Sequence, residues 1–153
     1  MLDLPTEEHT LKLGAALAMQ ARRGDVIALS GPLGAGKTTL ARGFIRHLTS
    51  DDEEVVSPTF TLVQVYEAPA APIWHFDLYR LTKADEALEL GLEEALATGI
   101  SLIEWPERLG ALLPAASLNV ALSVRGEYRQ AVLSGGPAWA ERIAAVSKHV
   151  RPT

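Results

Sequence analysis

A chain of 153 residues with 48% hydrophobic residues is long enough to bury its own core, so we expect one domain spanning residues 1–153. The lack of cysteine excludes disulfides, thiolate metal sites and thiol nucleophiles, and no apolar run reaches the roughly 18 residues of a membrane helix. A net charge of −5 argues against a stand-alone nucleic-acid binder, because phosphate neutralisation normally supplies most of that affinity. The N-terminal residues have neither the basic nor the apolar segment of a signal peptide, so we expect a cytoplasmic protein.

The first predicted elements are a short strand and a helix. Residues 2–4 predict an edge strand that Pro5 stops, because proline cannot donate a hydrogen bond within a sheet. Thr6 is a typical N-cap, and two acidic residues follow it where the helix dipole favours negative charge. One face of this helix carries Leu13, Ala16, Leu17 and Ala21. We expect Gly24 to end the helix, after a last turn that contains two arginines.

The clearest motif lies between a predicted strand at residues 25–30 and a predicted helix at residues 38–48. Residues 31–38 read Gly-Pro-Leu-Gly-Ala-Gly-Lys-Thr and match the phosphate-binding pattern G-x-x-x-x-G-K-[ST]. Glycines let backbone N–H groups turn towards a phosphate, and the N-terminus of the following helix adds to the attraction. Lys37 can reach the outer phosphates, and the Thr38 hydroxyl can bind Mg²⁺. The motif therefore predicts a nucleoside triphosphate site, and the alternative is a glycine-rich turn that happens to contain a lysine.

Polar residues accompany the next two predicted strands. Residues 57–61 hold three hydroxyl side chains around Pro58, which breaks any helix. One strand is predicted at residues 62–67 and a second at residues 73–81, joined by a proline-containing connector. Alternation along the second strand puts His75, Asp77 and Tyr79 on one face and Trp74, Phe76 and Leu78 on the other. The aromatic face is expected in the core, and the polar face either meets solvent or serves a functional site.

A third candidate site residue follows two predicted helical segments. Thr82 is a typical N-cap for a helix at residues 83–90, and a further helical turn is predicted at residues 92–97. The apolar strand at residues 100–106 then carries a carboxylate, Glu104, near its end. Ligands of open α/β sheets bind outside the carboxyl ends of the strands. Glu104 is therefore either a second protein contact for Mg²⁺ or an exposed acid at a strand end.

The remaining residues predict a short helix, a hairpin and a last helix. The short helix is expected at residues 107–113. Strands at residues 119–124 and 130–134 flank a turn at residues 125–127 and form an antiparallel hairpin. The last helix has an apolar stripe of Trp139, Ile143, Val146 and Val150.

Four stretches together resemble the bacterial TsaE (YjeE) family, whose members are the ATPase subunits of the machinery that makes threonylcarbamoyladenosine at position 37 of tRNA. The stretches are residues 31–39, residues 57–63 (SPTFTLV), residues 75–81 (HFDLYRL) and residues 102–108 (LIEWPER). The resemblance runs in order along nearly the whole chain. The phosphate loop is common to many proteins, whereas the other three stretches are far more specific as a set.

The resemblance implies a fold, an activity and partners. The fold is an α/β, P-loop NTPase-like three-layer structure, with a mixed central sheet of about seven strands flanked by helices. The activity is Mg²⁺-dependent ATP hydrolysis, which is slow in isolation and serves to cycle the complex of TsaD and TsaB. The resemblance also implies that tRNA is met only indirectly, through that complex, and we expect the chain alone to be monomeric.

Matching positions carry the family's phosphate, metal and catalytic roles onto this chain. The phosphate-binding residues implied by the resemblance are Gly34, Ala35, Gly36, Lys37, Thr38 and Thr39. Thr38 and Glu104 are expected to hold Mg²⁺. Asp77 is expected to be the catalytic or water-positioning carboxylate, acting with Lys37 and Glu104.

Other matching positions concern a loop, a tryptophan and one departure. The resemblance places Thr59, together with Ser57, in a mobile loop that senses the γ-phosphate, and Trp105 beside the nucleotide or the partner surface. For His75, a functional role and a purely structural role both stay open. The departure is Pro32, where family members often carry aspartate, so this loop has one backbone N–H and one charge fewer.

Two other functions stay open at this point. A small-molecule kinase would need an acceptor pocket and a lid, and no arginine-rich lid is evident in the sequence. A non-hydrolysing regulator would bind ATP and ADP without turnover. The fate of the γ-phosphate distinguishes both from an ATPase.

Overall fold

The computed structural model describes residues 1–150 of the chain. Its strands are β1 (Leu2–Leu4), β2 (Val26–Ser30), β3 (Val63–Tyr66), β4 (Ile73–Asp77), β5 (Ile100–Glu104), β6 (Leu118–Arg125) and β7 (Tyr128–Ser134). Its α-helices are α1 (Glu7–Gln20), α2 (Lys37–Leu48), α3 (Glu86–Glu89), α4 (Leu92–Thr98) and α5 (Ala140–Val150), and 3₁₀ helices cover Pro106–Leu112 and Pro137–Trp139. None of these helices, within the part of the chain described, is long and apolar enough to cross a membrane.

The strands form one mixed sheet in the order β1-β7-β6-β2-β5-β4-β3, which confirms the predicted mixed sheet of about seven strands. Strands β6, β2, β5 and β4 run parallel and so bring their carboxyl ends to one edge. The outer strands β1, β7 and β3 pair antiparallel with their neighbours. The carboxyl edge of the parallel strands is therefore where a ligand is expected to bind.

Helices cover the sheet on two sides and produce the predicted three layers. On one face, α1, α2 and α5 pack through a core that includes Leu13, Phe44 and Val146. On the other face, α3, α4 and the first 3₁₀ helix pack through a second core that includes Leu92 and Leu109. Both faces of β4 and β5 are consequently covered, so alternation along these strands does not separate a buried side from a solvent side.

Helices α1 and α2 approach each other at two glycines. A methyl group built on Gly14 would lie 2.1 Å from the carbonyl oxygen of Leu40, and one built on Gly43 would lie 2.2 Å from that of Leu11. Both distances are far below van der Waals contact, and both neighbours are backbone atoms that cannot rotate away. The two glycines therefore set the spacing between α1 and the helix that follows the phosphate loop.

Replacing Gly14 or Gly43 by alanine is expected to destabilise the protein, because each methyl group forces the two helices apart. Overpacking of this kind typically lowers the free energy of unfolding by about 1–3 kcal/mol. Thermal denaturation measures the loss. The matched control is Gly136→Ala, since Gly136 has an ordinary φ of −69° and open space at its Cβ position. If Gly14→Ala and Gly43→Ala had the same melting temperature as the control, the inferred helix contact would be contradicted.

The end of α1 differs from the prediction. The helix ends at Gln20, so the two arginines lie beyond it and Gly24 does not end it. The Arg22 N–H donates to the Asp25 carboxylate (2.7 Å), which turns the chain towards β2. Gly24, at a φ of 90°, donates its N–H to the Gly99 carbonyl (2.7 Å). The turn thus depends on a side-chain hydrogen bond and on a long-range backbone hydrogen bond, and helical periodicity predicts neither of them.

Thr6 occupies the predicted N-cap position of α1, whereas Asp85 and not Thr82 precedes α3, and neither threonine hydroxyl bonds to a backbone N–H of its helix. Thr6 shares a hydrogen bond with His9 Nδ1 (2.7 Å) and caps no backbone N–H. The Glu86 carboxylate accepts from the hydroxyl and N–H of Thr82 and from the N–H of Lys83 (2.7 Å). These bonds hold the segment before Glu86 as a turn, which is why the helix predicted there is reduced to α3.

Strand β4 ends at Asp77 rather than at residue 81. The Leu78 N–H still donates to the Glu104 carbonyl (3.2 Å), but the Leu81 N–H donates back to the Leu78 carbonyl (3.0 Å) and closes a turn. The chain therefore leaves the sheet directly after Asp77, at the edge where the phosphate loop lies.

The residues from 107 onwards resemble the prediction, with three differences. Strands β6 and β7 pair as far as Arg125 and Tyr128, so the turn contains two residues instead of three. The helix predicted at residues 107–113 is a 3₁₀ helix with a break at Gly110, at φ 52° and ψ −124°. The last helix is preceded by a 3₁₀ turn that contains Trp139, and three residues of the predicted stripe, Trp139, Val146 and Val150, are buried.

Candidate functional site

The phosphate loop joins β2 to α2 at the carboxyl edge of the parallel strands. Gly34 and Gly36 take φ angles of 80° and 103°, which residues with a Cβ rarely adopt. The Ala35 N–H donates to the Pro32 carbonyl (3.1 Å) and closes the curl, while the Ala35 methyl group is buried. Helix α2 starts directly after the loop, so the free N–H groups of its first turn lie next to it.

A cavity of about 390 Å³ adjoins this loop. The loop and α2 contribute Leu33, Gly34, Gly36, Lys37, Thr38 and Thr39 to its lining. Three other segments contribute Ser57, Thr59, Asp77, Tyr79, Arg80, Glu104 and Trp105. Every predicted site residue except Ala35 therefore lines one cavity. Ala35 lies in the loop with its side chain buried.

Strands β4 and β5 bring two carboxylates to this cavity. The parallel register pairs Asp77 with Glu104, and their side chains are only 7% and 3% exposed. The alternative interpretation of Glu104 as an exposed acid is wrong, because Glu104 is buried and its carboxylate contacts Thr38 of α2 and His75 of β4. Two buried acids on adjacent strands next to a phosphate loop need positive partners or hydrogen-bond donors.

Glu104 receives its hydrogen bonds from two directions. Thr38 Oγ1 lies 3.3 Å from Oε1 and 3.2 Å from Oε2 of Glu104. His75 Nε2 lies 2.7 Å from the same Oε2, and the His75 side chain is fully buried. The polar face of β4 is thus directed into the protein at His75 and Asp77, so the solvent-facing interpretation is wrong for these two residues.

Asp77 is held by backbone and by a hydroxyl. The Tyr79 N–H donates to Asp77 Oδ1 (3.1 Å), and Thr59 Oγ1 approaches Oδ2 at 3.5 Å. Burial raises the pKa of the Asp77 carboxyl, the Tyr79 N–H opposes that rise, and the nearby charge of Glu104 adds to it. A carboxyl group with a raised pKa is a better proton acceptor than an ordinary aspartate.

Lys37 is folded against the loop in this structure. Its ammonium group donates to the carbonyls of Gly31 and Pro32, the latter at 3.1 Å, and lies 4.1 Å from the centroid of the Trp105 ring. Burial lowers the pKa of Lys37, while the charges of Glu104 and other nearby acids oppose that decrease. Although Pro32 lacks an N–H, it therefore contributes a carbonyl to the site, which the sequence pattern does not reveal.

Two residues near the cavity adopt left-handed backbone conformations without being glycine. Trp105 has a φ of 59°, and its ring stacks at a tilt on Tyr79 with centroids 4.9 Å apart. Leu62 has a φ of 68° and links the 57–61 loop to β4, because its N–H donates to Pro58 (2.7 Å) and its carbonyl accepts from Asp77 (3.0 Å). Such conformations cost of order 1–3 kcal/mol and concentrate at functional sites.

The 57–61 loop is attached to the site at one end and exposed at the other. Ser57 and Thr59 share a hydrogen bond (2.8 Å) beside Asp77. Phe60 is 80% exposed, and the Arg80 guanidinium lies 4.6 Å above its ring. A few hydrogen bonds and one cation–π contact thus hold this loop beside the cavity.

The structure also corrects the placement of Tyr79 and adds one residue that the sequence did not indicate. Tyr79 was predicted on the face of β4 with Asp77, but it follows the end of the strand and is 43% exposed at the mouth of the cavity. Arg129 of β7 donates from Nε to the Gly34 carbonyl (3.2 Å) and so steadies the loop. No local signal could have found this contact, because β7 is far away in the chain.

The donor set near the loop is suited to Mg²⁺. The Thr38 hydroxyl and the Glu104 carboxylate are hard oxygen donors that lie together at one end of the cavity. Within residues 1–150, no group of three or more His, Asp or Glu side chains could hold a metal ion by itself. Mg²⁺ commonly takes one or two protein oxygens and fills its other positions with phosphates and water, so these residues fit that ion.

Comparison with models of protein families shows what this chain is related to. The model of the family described as threonylcarbamoyl adenosine biosynthesis protein TsaE matches residues 4–132. The chain belongs to the TsaE family. Its membership confirms the resemblance that the four sequence stretches predicted, and it places the chain in tRNA threonylcarbamoyladenosine biosynthesis.

Individual TsaE relatives agree with this assignment. All three of the following are described as tRNA threonylcarbamoyladenosine biosynthesis protein TsaE. The Rickettsia felis protein is 42% identical over 130 residues, covering 85% of this chain and 76% of the relative. The Nostoc protein is 43% identical over 137 residues, covering 86% and 83%, and the Bacillus subtilis protein is 37% identical over 121 residues, covering 78% and 75%.

A solved structure agrees with the fold. The crystal structure of Bacillus subtilis YdiB superposes with a TM-score of 0.76 at 28% sequence identity, covering 95% of this chain and 92% of that chain. The overall fold of this chain is thus similar to that of YdiB over nearly the whole length of both chains. The predicted α/β class is confirmed by this likeness as well as by the sheet itself.

Proposed function

We propose that this chain binds ATP with Mg²⁺ and hydrolyses it, as the ATPase subunit that cycles the TsaD–TsaB complex in tRNA threonylcarbamoyladenosine biosynthesis. The observation that carries the proposal is the convergence of Lys37, Thr38, Asp77 and Glu104 on one cavity beside the phosphate loop. Phosphate binding, metal binding and water activation each have a suitable group there. Membership of the TsaE family supplies the biological setting.

In this proposal Lys37 is the cation that turns from the loop to the phosphates when ATP binds. In this structure the ammonium group contacts two loop carbonyls and the Trp105 ring. When ATP binds, phosphate oxygens would replace these contacts. Burial makes the charge of Lys37 act through a medium of low polarity, which strengthens its effect on the γ-phosphoryl group. The glycine-rich loop and the first turn of α2 bind the remaining phosphate charge through N–H groups.

Thr38 and Glu104 are the residues that would hold Mg²⁺. When bound, the ion supplies charge that polarises the phosphoryl oxygens. Thr38 and Glu104 contact each other without it (3.2 Å), so the two donors are already directed to the same place. Preorganised donors lose little freedom when they bind a ligand.

Asp77 is the group that orients water and accepts its proton. Its carboxyl lies on the strand next to Glu104, and burial raises its pKa. Thr59 approaches Asp77 from the 57–61 loop, so a movement of that loop on γ-phosphate binding would change the surroundings of Asp77. The loop would then present one surface with ATP and another after hydrolysis.

The exposed residues around the cavity favour a partner that covers its mouth. Leu33, Phe60 and Tyr79 are 68%, 80% and 43% exposed at this place. Apolar side chains clustered around a cavity are typical of interaction sites. We propose TsaD and TsaB as the partners, with tRNA reached only through them, because a net charge of −5 does not favour direct tRNA binding.

The fate of the γ-phosphate tests this function against its two alternatives. ATP labelled at the γ-phosphate is incubated with the chain, Mg²⁺, TsaD and TsaB, and the labelled products are separated. We expect the label in inorganic phosphate. Label in a small molecule would indicate a kinase, and ATP that is bound but stays intact would indicate a non-hydrolysing regulator.

A further inference from the structure

His75 is a buried polar residue that the proposed reaction does not yet use. It lies on β4 two positions before Asp77, is fully buried, and does not line the cavity. Its Nε2 atom lies 2.7 Å from Glu104 Oε2. Its Nδ1 atom has no hydrogen-bond partner among residues 1–150. The polar contact of this ring is therefore made through Nε2 alone and is directed at Glu104.

The two contacts of the Glu104 carboxylate differ in kind. The contact to His75 is short, as expected for a hydrogen bond to a charged group, and lies in the protein interior. The contacts from Thr38 Oγ1 are long, at 3.2 and 3.3 Å, and lie in the cavity. The Thr38 hydroxyl is also the group that would turn to Mg²⁺. Binding would thus remove the weak contact and leave the strong one.

We propose that His75 is a positioning residue, which donates Nε2–H to Glu104 Oε2 and so keeps the carboxylate directed at the metal position when Thr38 turns away. The proposal rests on the proposed Mg²⁺-dependent nucleotide binding. Without His75, Glu104 would be a buried carboxylate with no hydrogen-bond donor in residues 1–150 once Thr38 has turned. A buried carboxylate without a donor is costly, so it rotates towards other polar groups, and that rotation weakens a metal site.

Two substitutions separate this role from simple core packing. His75→Leu removes the donor and keeps an apolar side chain in the core, whereas His75→Gln keeps an N–H donor at a similar distance from β4. The readout is the binding of a fluorescent ATP analogue, first titrated with Mg²⁺ and then measured in excess EDTA. Loss of the partner of a metal ligand typically weakens metal affinity by about 10- to 100-fold. We expect that increase in the half-saturating Mg²⁺ concentration for His75→Leu, substantial recovery for His75→Gln, and unchanged affinity in EDTA for both.

The contrary outcomes are distinct. A wild-type Mg²⁺ requirement in a folded His75→Leu protein would overturn the positioning role, and so would an equal loss of affinity in EDTA. Unmodified protein whose nucleotide binding ignores Mg²⁺ would instead contradict the proposed function on which the inference rests. The first two results come from the His75 variants, and the third comes from the unmodified protein. Failure of the positioning role can therefore be distinguished from failure of the proposed function.

A second measurement needs no folded leucine variant. Long-range ¹⁵N NMR on the unmodified protein reports which ring nitrogen of each histidine carries a proton, and His75→Gln identifies the His75 signal by its loss. We expect a proton on Nε2 of His75. A bare Nε2 would overturn the proposal, because that nitrogen could not donate to Glu104.

Discussion

Asp77→Asn is expected to lower the rate of ATP hydrolysis by about 10²- to 10⁴-fold, the usual contribution of a positioned general base. The amide keeps the size of the side chain and an oxygen for the Tyr79 N–H, but it cannot accept a proton from water. ATP affinity should change little, because Asp77 is not assigned to the phosphates. Phosphate release in the presence of TsaD and TsaB measures the rate, and equilibrium binding measures the affinity.

The matched control is Asp52→Asn, since Asp52 is exposed in the loop after α2 and should behave like the unmodified protein. Turnover of Asp77→Asn at the control rate would remove Asp77 from the catalytic residues. Loss of ATP binding together with turnover would show a role in binding instead of water activation.

The same substitution has an expected effect on stability. Burial raises the pKa of Asp77 in the folded protein, so the folded state holds the proton to a higher pH than the unfolded state does. Stability due to this group is therefore lost as pH rises from the ordinary aspartate pKa to the raised one, and the loss is complete above it. At neutral pH, Asp77→Asn should melt at the same temperature as the unmodified protein or higher. A clearly lower melting temperature would contradict the assigned cause of the pKa shift.

Lys37→Ala is also expected to lower the rate of ATP hydrolysis strongly. Deleting one preorganised donor to developing charge typically lowers the rate by about 10²- to 10³-fold, and here the deleted group is a full charge in a buried site. ATP affinity should fall as well, because Lys37 is expected to meet the phosphates before and during reaction. Lys83→Ala is the control, since Lys83 is exposed and lies outside the cavity. Equal hydrolysis and equal affinity in the two variants would contradict the phosphate-binding role of Lys37.

The phosphate loop could be predicted from the sequence because its determinants are contiguous. The glycines that permit positive φ, the lysine and the threonine all lie within residues 31–38, and a strand and a helix lead in and out. Its local conformation therefore depends little on distant contacts. The helix α2, the apolar stripe of the last helix and the hairpin β6–β7 could also be predicted, because their sequence patterns are local as well.

The arrangement of the carboxylates required the tertiary structure. Asp77 meets Glu104 through the parallel register of β4 and β5, and the burial of His75 depends on a sheet covered on both faces. Strand alternation could place His75 and Asp77 on one face, yet it could not say that this face is inside. Only the likeness to a family linked these positions before the fold was known.

Other features were unpredictable for different physical reasons. Trp105 adopts a left-handed conformation that its side chain does not favour, so surrounding packing must impose it. Thr82 has the side chain of an N-cap, but the Glu86 carboxylate uses its hydroxyl. Distant packing in the first case, and a side chain four residues along the chain in the second, outweighs the intrinsic preference of the residue.

Phosphate release from ATP by the purified chain, measured alone, with TsaD, with TsaB and with both, tests the proposed function most directly. Asp77→Asn with both partners serves as the background. We expect slow release from the chain alone and clearly faster release when both partners are present. Release that stays at the Asp77→Asn background with both partners, under conditions where ATP binding is demonstrated, would contradict the assignment of this chain as an ATPase.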